Sequence, residues 1–440
     1  MRHSITTAFI LLAGILAAQG PVSLSLQQAM DMAATQSYAV QASQLEAEKA
    51  VAKIKEVTAI GLPQINATGS VNNYIKVPTM VIPNFFGDNP KFIEMQFGLP
   101  WTMSGAVQLN QLIFDGSYLV GLQATRELRN QSGKQLESAQ LDARVQAAKA
   151  YLGVLAAEEG VRLLGESLPL VQKAANDANA MVQQGMMGTT DADRLTVQVD
   201  ETQNQQRNLR QQATVARAYL ALVLGLPAGT PITLTDSLQP LLDDAASQDL
   251  ANVQFDPAKH VEEEAAQSAL RLSELDLKNK KSAYLPKLSG FINYQQQFNY
   301  TEFKPSDGAF WFPSSMWGLQ LNVPIFSSGM RSRQVQQAKL SRDQAQINLK
   351  ATEQRLLTDR LQQQAVLTAA QESYTTGKAS LAVSKRIFEQ TSTKFGEGMA
   401  SSFELTQEHG NYLTAQQTYI QRMVDLLKAR VDMRKALDLF

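Results

Sequence analysis

Two stretches in each half of the chain alternate apolar and polar side chains one by one. At 64–76, Ile65, Ala67, Gly69, Val71 and Ile75 fall on one side and Gln64, Asn66, Thr68, Ser70, Asn72 and Lys76 on the other. Period two marks a strand, whose successive side chains point to opposite faces. At 101–113, Trp101, Met103, Val107, Leu109 and Ile113 oppose Thr102, Ser104, Gln108 and Asn110. The second half repeats this at 287–300, where Leu288, Ile292, Tyr294 and Phe298 oppose Ser289, Asn293, Gln295 and Gln297, and at 315–325, where Trp317, Leu319, Leu321, Val323 and Ile325 oppose Gln320 and Asn322. Soluble strands usually run about 5–6 residues, whereas a tilted membrane strand needs about 9–11. One apolar face against one of Gln, Asn, Ser and Thr is the lipid-out, lumen-in pattern of a transmembrane barrel. Trp101, Trp317, Tyr74 and Tyr300 near the strand ends suit the two membrane interfaces.

Between these pairs the apolar spacing changes to that of helices. Residues 117–184, interrupted only by Pro169, and 330–394, with no proline, predict two helices of some 65 residues, roughly 100 Å each. Leu340, Ile347, Leu349, Leu356 and Leu361 are spaced like coiled-coil heptads. Helices at 26–60, 189–225, 256–284 and 402–438 are about half as long, so two stacked end to end match one long one.

The order is written twice. Leu62-Pro63-Gln64 returns as Leu285-Pro286-Lys287, Leu112-Ile113-Phe114-Asp115-Gly116 as Pro324-Ile325-Phe326-Ser327-Ser328-Gly329, and Gln184-Gly185-Met186 as Glu397-Gly398-Met399. Two equivalent halves follow, 21–225 and 257–440, joined by a segment at 226–256 rich in turn residues, with a short helix expected at 245–251. Residues 1–20 have the basic start, apolar run and small residues of a cleavable secretory signal.

Four strands cannot close a barrel, since about eight are needed for a filled interior. Several copies must therefore share one closed sheet, and three copies would supply twelve strands. No helical stretch reaches the 18 or so apolar residues of a membrane span. With no cysteine, disulfides and thiolate chemistry are excluded, and 40 basic against 41 acidic residues give no bias towards nucleic acid. The sequence holds no phosphate loop and no nucleophile or acid/base constellation, so no catalytic residue, cofactor or metal site is expected.

This order of elements resembles the TolC family of outer-membrane efflux proteins over essentially the whole mature chain. Val323-Pro324-Ile325-Phe326-Ser327-Ser328-Gly329 resembles the family's Pro-aliphatic-Phe-small-Gly-Gly junction, and Phe395-Gly396-Glu397-Gly398-Met399 its aromatic-x-x-Gly-Thr helix turn. The resemblance implies a mixed α/β membrane protein: a homotrimer with a 12-stranded barrel among outer-membrane lipids and a long periplasmic α-helical coiled-coil barrel. It would serve as the passive exit duct of a tripartite efflux or type I secretion system, docked on a periplasmic adaptor and an inner-membrane pump of RND, ABC or MFS type. The other class open to the chain is a soluble periplasmic coiled-coil scaffold or adaptor, which explains the helices but not the strands.

The resemblance also places a gate at the helix turns, 184–190 and 395–401, where Gly185, Met186, Gly398 and Met399 would meet the adaptor. Glu404, six residues after Gly398, matches an acid that three-fold symmetry would gather into a cation-attracting ring. A second acid one turn on is replaced by Gln407. Asp191, six residues after Gly185, matches an acid locked in well-known members by an aromatic hydroxyl and an Arg of the second turn. Here those positions are Phe395 and Ala400, so either Asp193 or Arg194 pairs with Glu397 instead, or the closed state is held less firmly. Both acids also sit where helix N-termini favour negative charge. Met181, Met186, Met187 and Met399 are expected to pack at the turns, and His260 and His409 to be solvated on helices.

Overall fold

The computed structural model describes residues 22–85, 87, 91–243, 250, 253–306 and 311–440. The signal segment 1–20 and all but Leu250 of the expected helix 245–251 lie outside the described residues. The elements run β1 (Val22–Leu24), α1 (Leu26–Gln36), α2 (Tyr38–Ile60), β2 (Gln64–Asn73), β3 (Thr79–Pro83), β4 (Phe92–Gln96), β5 (Trp101–Phe114), α3 (Gly116–Gln183), α4 (Thr189–Val223), β6 (Ile232–Leu234), α5 (Leu238–Asp243), α6 (Val261–Ser282), β7 (Lys287–Tyr300), β8 (Trp311–Asn322), α7 (Met330–Gly396) and α8 (Ser402–Ala436). The chain divides into two compact units, one of residues 1–46, 133–265 and 350–440, the other of 47–132 and 266–349.

The second unit carries an antiparallel sheet in the order β2-β5-β7-β8. Its register aligns Ile65, Leu109, Ile292 and Trp317 in one cross-strand row, and Asn66, Gln108, Asn293 and Met316 in the next, on the opposite face. The apolar row is therefore continuous over four strands, as the alternation predicts. Trp101 stands opposite Tyr300 at one end of the sheet.

Strand limits differ from the expected ones where proline or a turn intervenes. β2 stops at Asn73, although the Tyr74 amide still donates to the Pro100 carbonyl at 2.7 Å. β8 begins at Trp311 and ends at Asn322, so Val323 and Ile325 lie beyond the ladder. Pro324 has no N–H to give a ladder, whereas Pro313 lies within β8, an edge strand of the single-chain sheet. The expected loop between β2 and β5 contains the hairpin β3–β4, with Met80 opposite Met95 and Ile82 opposite Ile93.

Asp115 joins β5 to α3. Its carboxylate caps the helix, accepting the Ser117 amide at 2.8 Å, and pairs with the Lys287 ammonium at 2.7 Å. The equivalent junction before α7 has no such cap. Ser328 and Gly329 take φ of +49° and +79° there, and Arg331 donates to the Pro324 carbonyl at 3.2 Å.

In the first unit, α3 stays helical through Pro169. The expected helix 26–60 is broken at Ser37, whose extended ψ of 144° ends α1. The break abuts Gly225 at the end of α4, where an added Cβ would lie 2.1 Å from the Gln36 carbonyl oxygen. β1 pairs in parallel with β6. Buried Tyr151 ties them down, donating to the Leu24 carbonyl at 2.9 Å, while Asp236 accepts the Leu26 amide at 2.6 Å. Among the described residues the joining segment carries the helix Leu238–Asp243, spanning Pro240; Arg430 caps its C-terminal end through the Leu241 and Leu242 carbonyls. No described helix is long and apolar enough to cross a membrane.

Candidate functional site

Two helix turns of the first unit, α3 to α4 and α7 to α8, share one backbone design. Gly185 and Gly398 adopt φ of +70° and +74°, a region that carries a Cβ penalty for other residues. The Gly185 and Met186 amides donate back to the Val182 and Met181 carbonyls at 3.0 and 2.9 Å. Those of Gly398 and Met399 donate to Phe395 and Lys394 at 3.0 and 2.8 Å. Each is a complete Schellman closure, satisfying carbonyls that the ended helix leaves free. The turns thus leave Met186 and Met399 exposed, against the expectation that they pack; Met187 alone of the four methionines rests on the local core.

After the turns the helices start differently. Ser401 caps α8 by accepting the Glu404 amide at 3.1 Å, while Gly188 gives α4 no side-chain cap. Glu404 and Gln407 lie on the exposed side of α8, where Gln407 donates to Asn411 at 3.4 Å.

Asp191 and Arg194 of α4 meet Ser402 of α8. The Ser402 hydroxyl donates to Asp191, and Arg194 donates to the same hydroxyl at 3.4 Å and lies 3.6 Å from the Asp191 carboxylate. The guanidinium also stands 5.7 Å from the Phe403 ring centre. The expected pairing of Arg194 with Glu397 is not the one formed; Asp191, three residues earlier on the same helix face, captures the guanidinium instead. Asp193 lies exposed on another side of α4. Sequence reasoning passed over Ser402. Its signal was the Ser401-Ser402 pair, in which the first hydroxyl is used by the cap and the second is free to cross to the neighbouring helix.

Phe395 is buried in a small core with Phe388, Leu405 and Tyr412, together with Ala174, Ala178, Leu195 and Val199. It holds the paired helices together by packing, the contribution open to an aromatic ring without a hydroxyl. Tyr412 stacks on Phe388, with centroids 5.5 Å apart and planes 15° from parallel.

His260 and His409 are both buried, against the expectation of solvated ones. Nδ1 of His260 accepts the Glu262 amide at 3.2 Å, a helix-start contact that carries the ring inward. His409 lies fully buried beside Phe388, at 5.0 Å between ring centres, and neither ring nitrogen has a hydrogen-bond partner among the described residues. Burial lowers its pKa to about 4 and keeps the ring neutral.

The profile of the family described as Outer membrane efflux protein matches residues 29–226 and 263–438. Among solved structures, a membrane protein from Pseudomonas aeruginosa is 17% identical, with 94% of this chain and 92% of that chain covered and a TM-score of 0.73. The Campylobacter jejuni CmeC outer membrane channel is 16% identical, with 94% and 85% covered and a TM-score of 0.71. The outer membrane protein VceC from Vibrio cholerae is 13% identical, with 94% and 95% covered and a TM-score of 0.70. At such identities the structures show a shared fold. No curated protein sequence matches.

Proposed function

The chain belongs to the outer membrane efflux protein family, and on that footing we propose how it works. It is an outer-membrane efflux channel subunit with its helices in the periplasm, and the family's channels are homotrimers that dock with periplasmic adaptors and inner-membrane pumps. In our reading the duct is passive. An RND, ABC or MFS pump supplies the energy, and docking opens the two helix turns.

One observation carries this reading: a four-strand sheet with one apolar face, one face mostly of amides and hydroxyls, and two unpaired edges, β2 and β8. A soluble scaffold has no use for a broad apolar sheet face held in water, and open edges do not persist in lipid. Pairing β8 of one copy with β2 of the next satisfies both edges. Leu340, Ile347 and Leu361 of α7 are likewise exposed in the single chain, as a heptad seam awaiting other copies would be.

In the same reading Asp191, Ser402 and Arg194 tie α4 to α8 at the gate, and Phe395 packs behind them. Glu404 and Gln407 line the constriction, while Met186 and Met399, exposed beside Gly185 and Gly398, offer the adaptor an apolar contact.

Fractionation followed by planar-bilayer recording tests the whole. Expected are detergent-extracted trimers from the outer membrane that conduct ions. Protein found in the soluble fraction, with purified oligomers that never conduct, overturns the channel.

A further inference from the structure

The alternation read from sequence makes the polar face of the sheet uniform, and the register shows that it is not. From β2 to β8 the rows on that face read Asn66–Gln108–Asn293–Met316, Thr68–Ala106–Gln295–Ser314 and Ser70–Ser104–Gln297–Phe312. In these rows β2 contributes only amides and hydroxyls, and β5 departs only at Ala106. β8 places Phe312 and Met316 there, with 55% and 60% of their surfaces exposed. Phe291 also lies on this face, but its ring covers Gly318, where a Cβ would sit 2.8 Å from the ring. Phe291 therefore fills a gap in the sheet, while Phe312 and Met316 stand open.

Resting on the assignment of the polar face to the lumen, we propose that Phe312 and Met316 form an apolar track on the channel wall that binds the aryl or alkyl part of amphiphilic cargo. They are four residues apart on one strand, about 13 Å along it. A ring or short chain moving along the strand thus meets the aromatic face and the polarisable thioether in succession, with Ser314 between them. Their cross-strand neighbours are Gln297 and Asn293, whose amides can hydrogen-bond a polar head group while the apolar part lies on β8. All three rows are uncharged, so the track selects by apolar content and leaves charge selection to other parts of the channel. Contact at two separated side chains is weak enough to allow release, as conduction requires. In a closed trimer the track occurs three times, each flanked by the polar face of β2 of the next copy.

The test is block of single-channel current by tetraphenylphosphonium, with tetramethylammonium as the apolar-poor control. Wild-type channels are expected to show block by the aryl cation alone, and a Phe312→Ser, Met316→Ser variant to need about tenfold more for the same block, with potassium conductance nearly unchanged. A Phe312→Leu variant should retain most of the block. Equal block in wild type and double variant overturns the track and leaves the channel reading standing. Absence of any wild-type conductance overturns the channel reading itself. Loss of trimers in both variants assigns the two side chains to assembly and overturns the track.

Discussion

Ser402, in the first turn of α8, donates its hydroxyl to Asp191, in the first turn of α4, so one side chain joins the starts of two helices. Ser402 is itself buried, whereas Asp191 and Arg194 are half exposed. The hydrogen bond is therefore the better shielded part of the tie, and the ion pair is open to screening by salt. With the proposed gate role, Ser402→Ala should weaken the closed state by about 1 kcal/mol, raising open probability roughly fivefold. Asp191→Asn should do at least as much, because it also releases Arg194. Single-channel recordings of both variants and of the double variant check this. Additive effects would separate the two residues.

Glu404 is exposed on α8, with its amide already used by the Ser401 cap. In the proposed reading its exposed carboxylate faces an aqueous passage. Glu404→Gln should lower the cation-to-anion permeability ratio and weaken block by multivalent cations. Reversal potentials in a salt gradient read the first and added trivalent cation the second. Unchanged selectivity would remove Glu404 from the constriction.

His409 should make the region around Phe388 sensitive to acid. Its folded pKa, about 4, lies below the ordinary value of 6.5. The folded state thus binds fewer protons than the unfolded state between these values. Stability falls as pH drops from about 6.5 towards 4, approaching a loss of some 3 kcal/mol. Thermal melting of the trimer across this range should show the slope, and His409→Phe should flatten it. The same slope in the variant would place the acid sensitivity elsewhere.

The fold was legible where physics is local. Period-two alternation located the four strands of the main sheet, because the register needs one apolar face. Gly185 and Gly398 revealed the turns, because only a left-handed residue closes a helix that way. What stayed hidden depends on partners distant in sequence. Ser402 meets Asp191 across two helices, His409 is buried by Phe388 of α7, and Phe312 is assigned to the polar face only by its pairing with Gln297. A solvated and a buried histidine look alike on an amphipathic helix of mixed composition.

Asp115 links strand, helix and neighbouring strand through one carboxylate. Asp115→Ala removes the α3 cap and strands the Lys287 ammonium, and should cost about 1–2 kcal/mol. Heat dissociation of the trimer in detergent would register this. Ser328→Ala, at the equivalent uncapped junction, should cost less, since no side-chain cap is lost there.

Glycine substitutions separate strain from collision. Gly185→Ala has open space around its Cβ and meets only the left-handed backbone cost, about 1 kcal/mol. Gly225→Ala meets the same cost and also collides with the Gln36 carbonyl. Parallel melting curves should rank Gly225→Ala well below Gly185→Ala, and the reverse order would contradict the packing at the α1–α2 break.

The unpaired edges of β2 and β8 also bear on biogenesis. In the proposed trimer each edge is completed by a different neighbour, so a subunit alone should not become a stable membrane protein. A subunit with β2 blocked by proline could still offer β8, enter a nascent trimer and leave it unclosed. Co-produced with the intact protein at equal levels, such a variant would act as a dominant poison, sparing only the roughly one-eighth of trimers that contain three intact copies by random mixing.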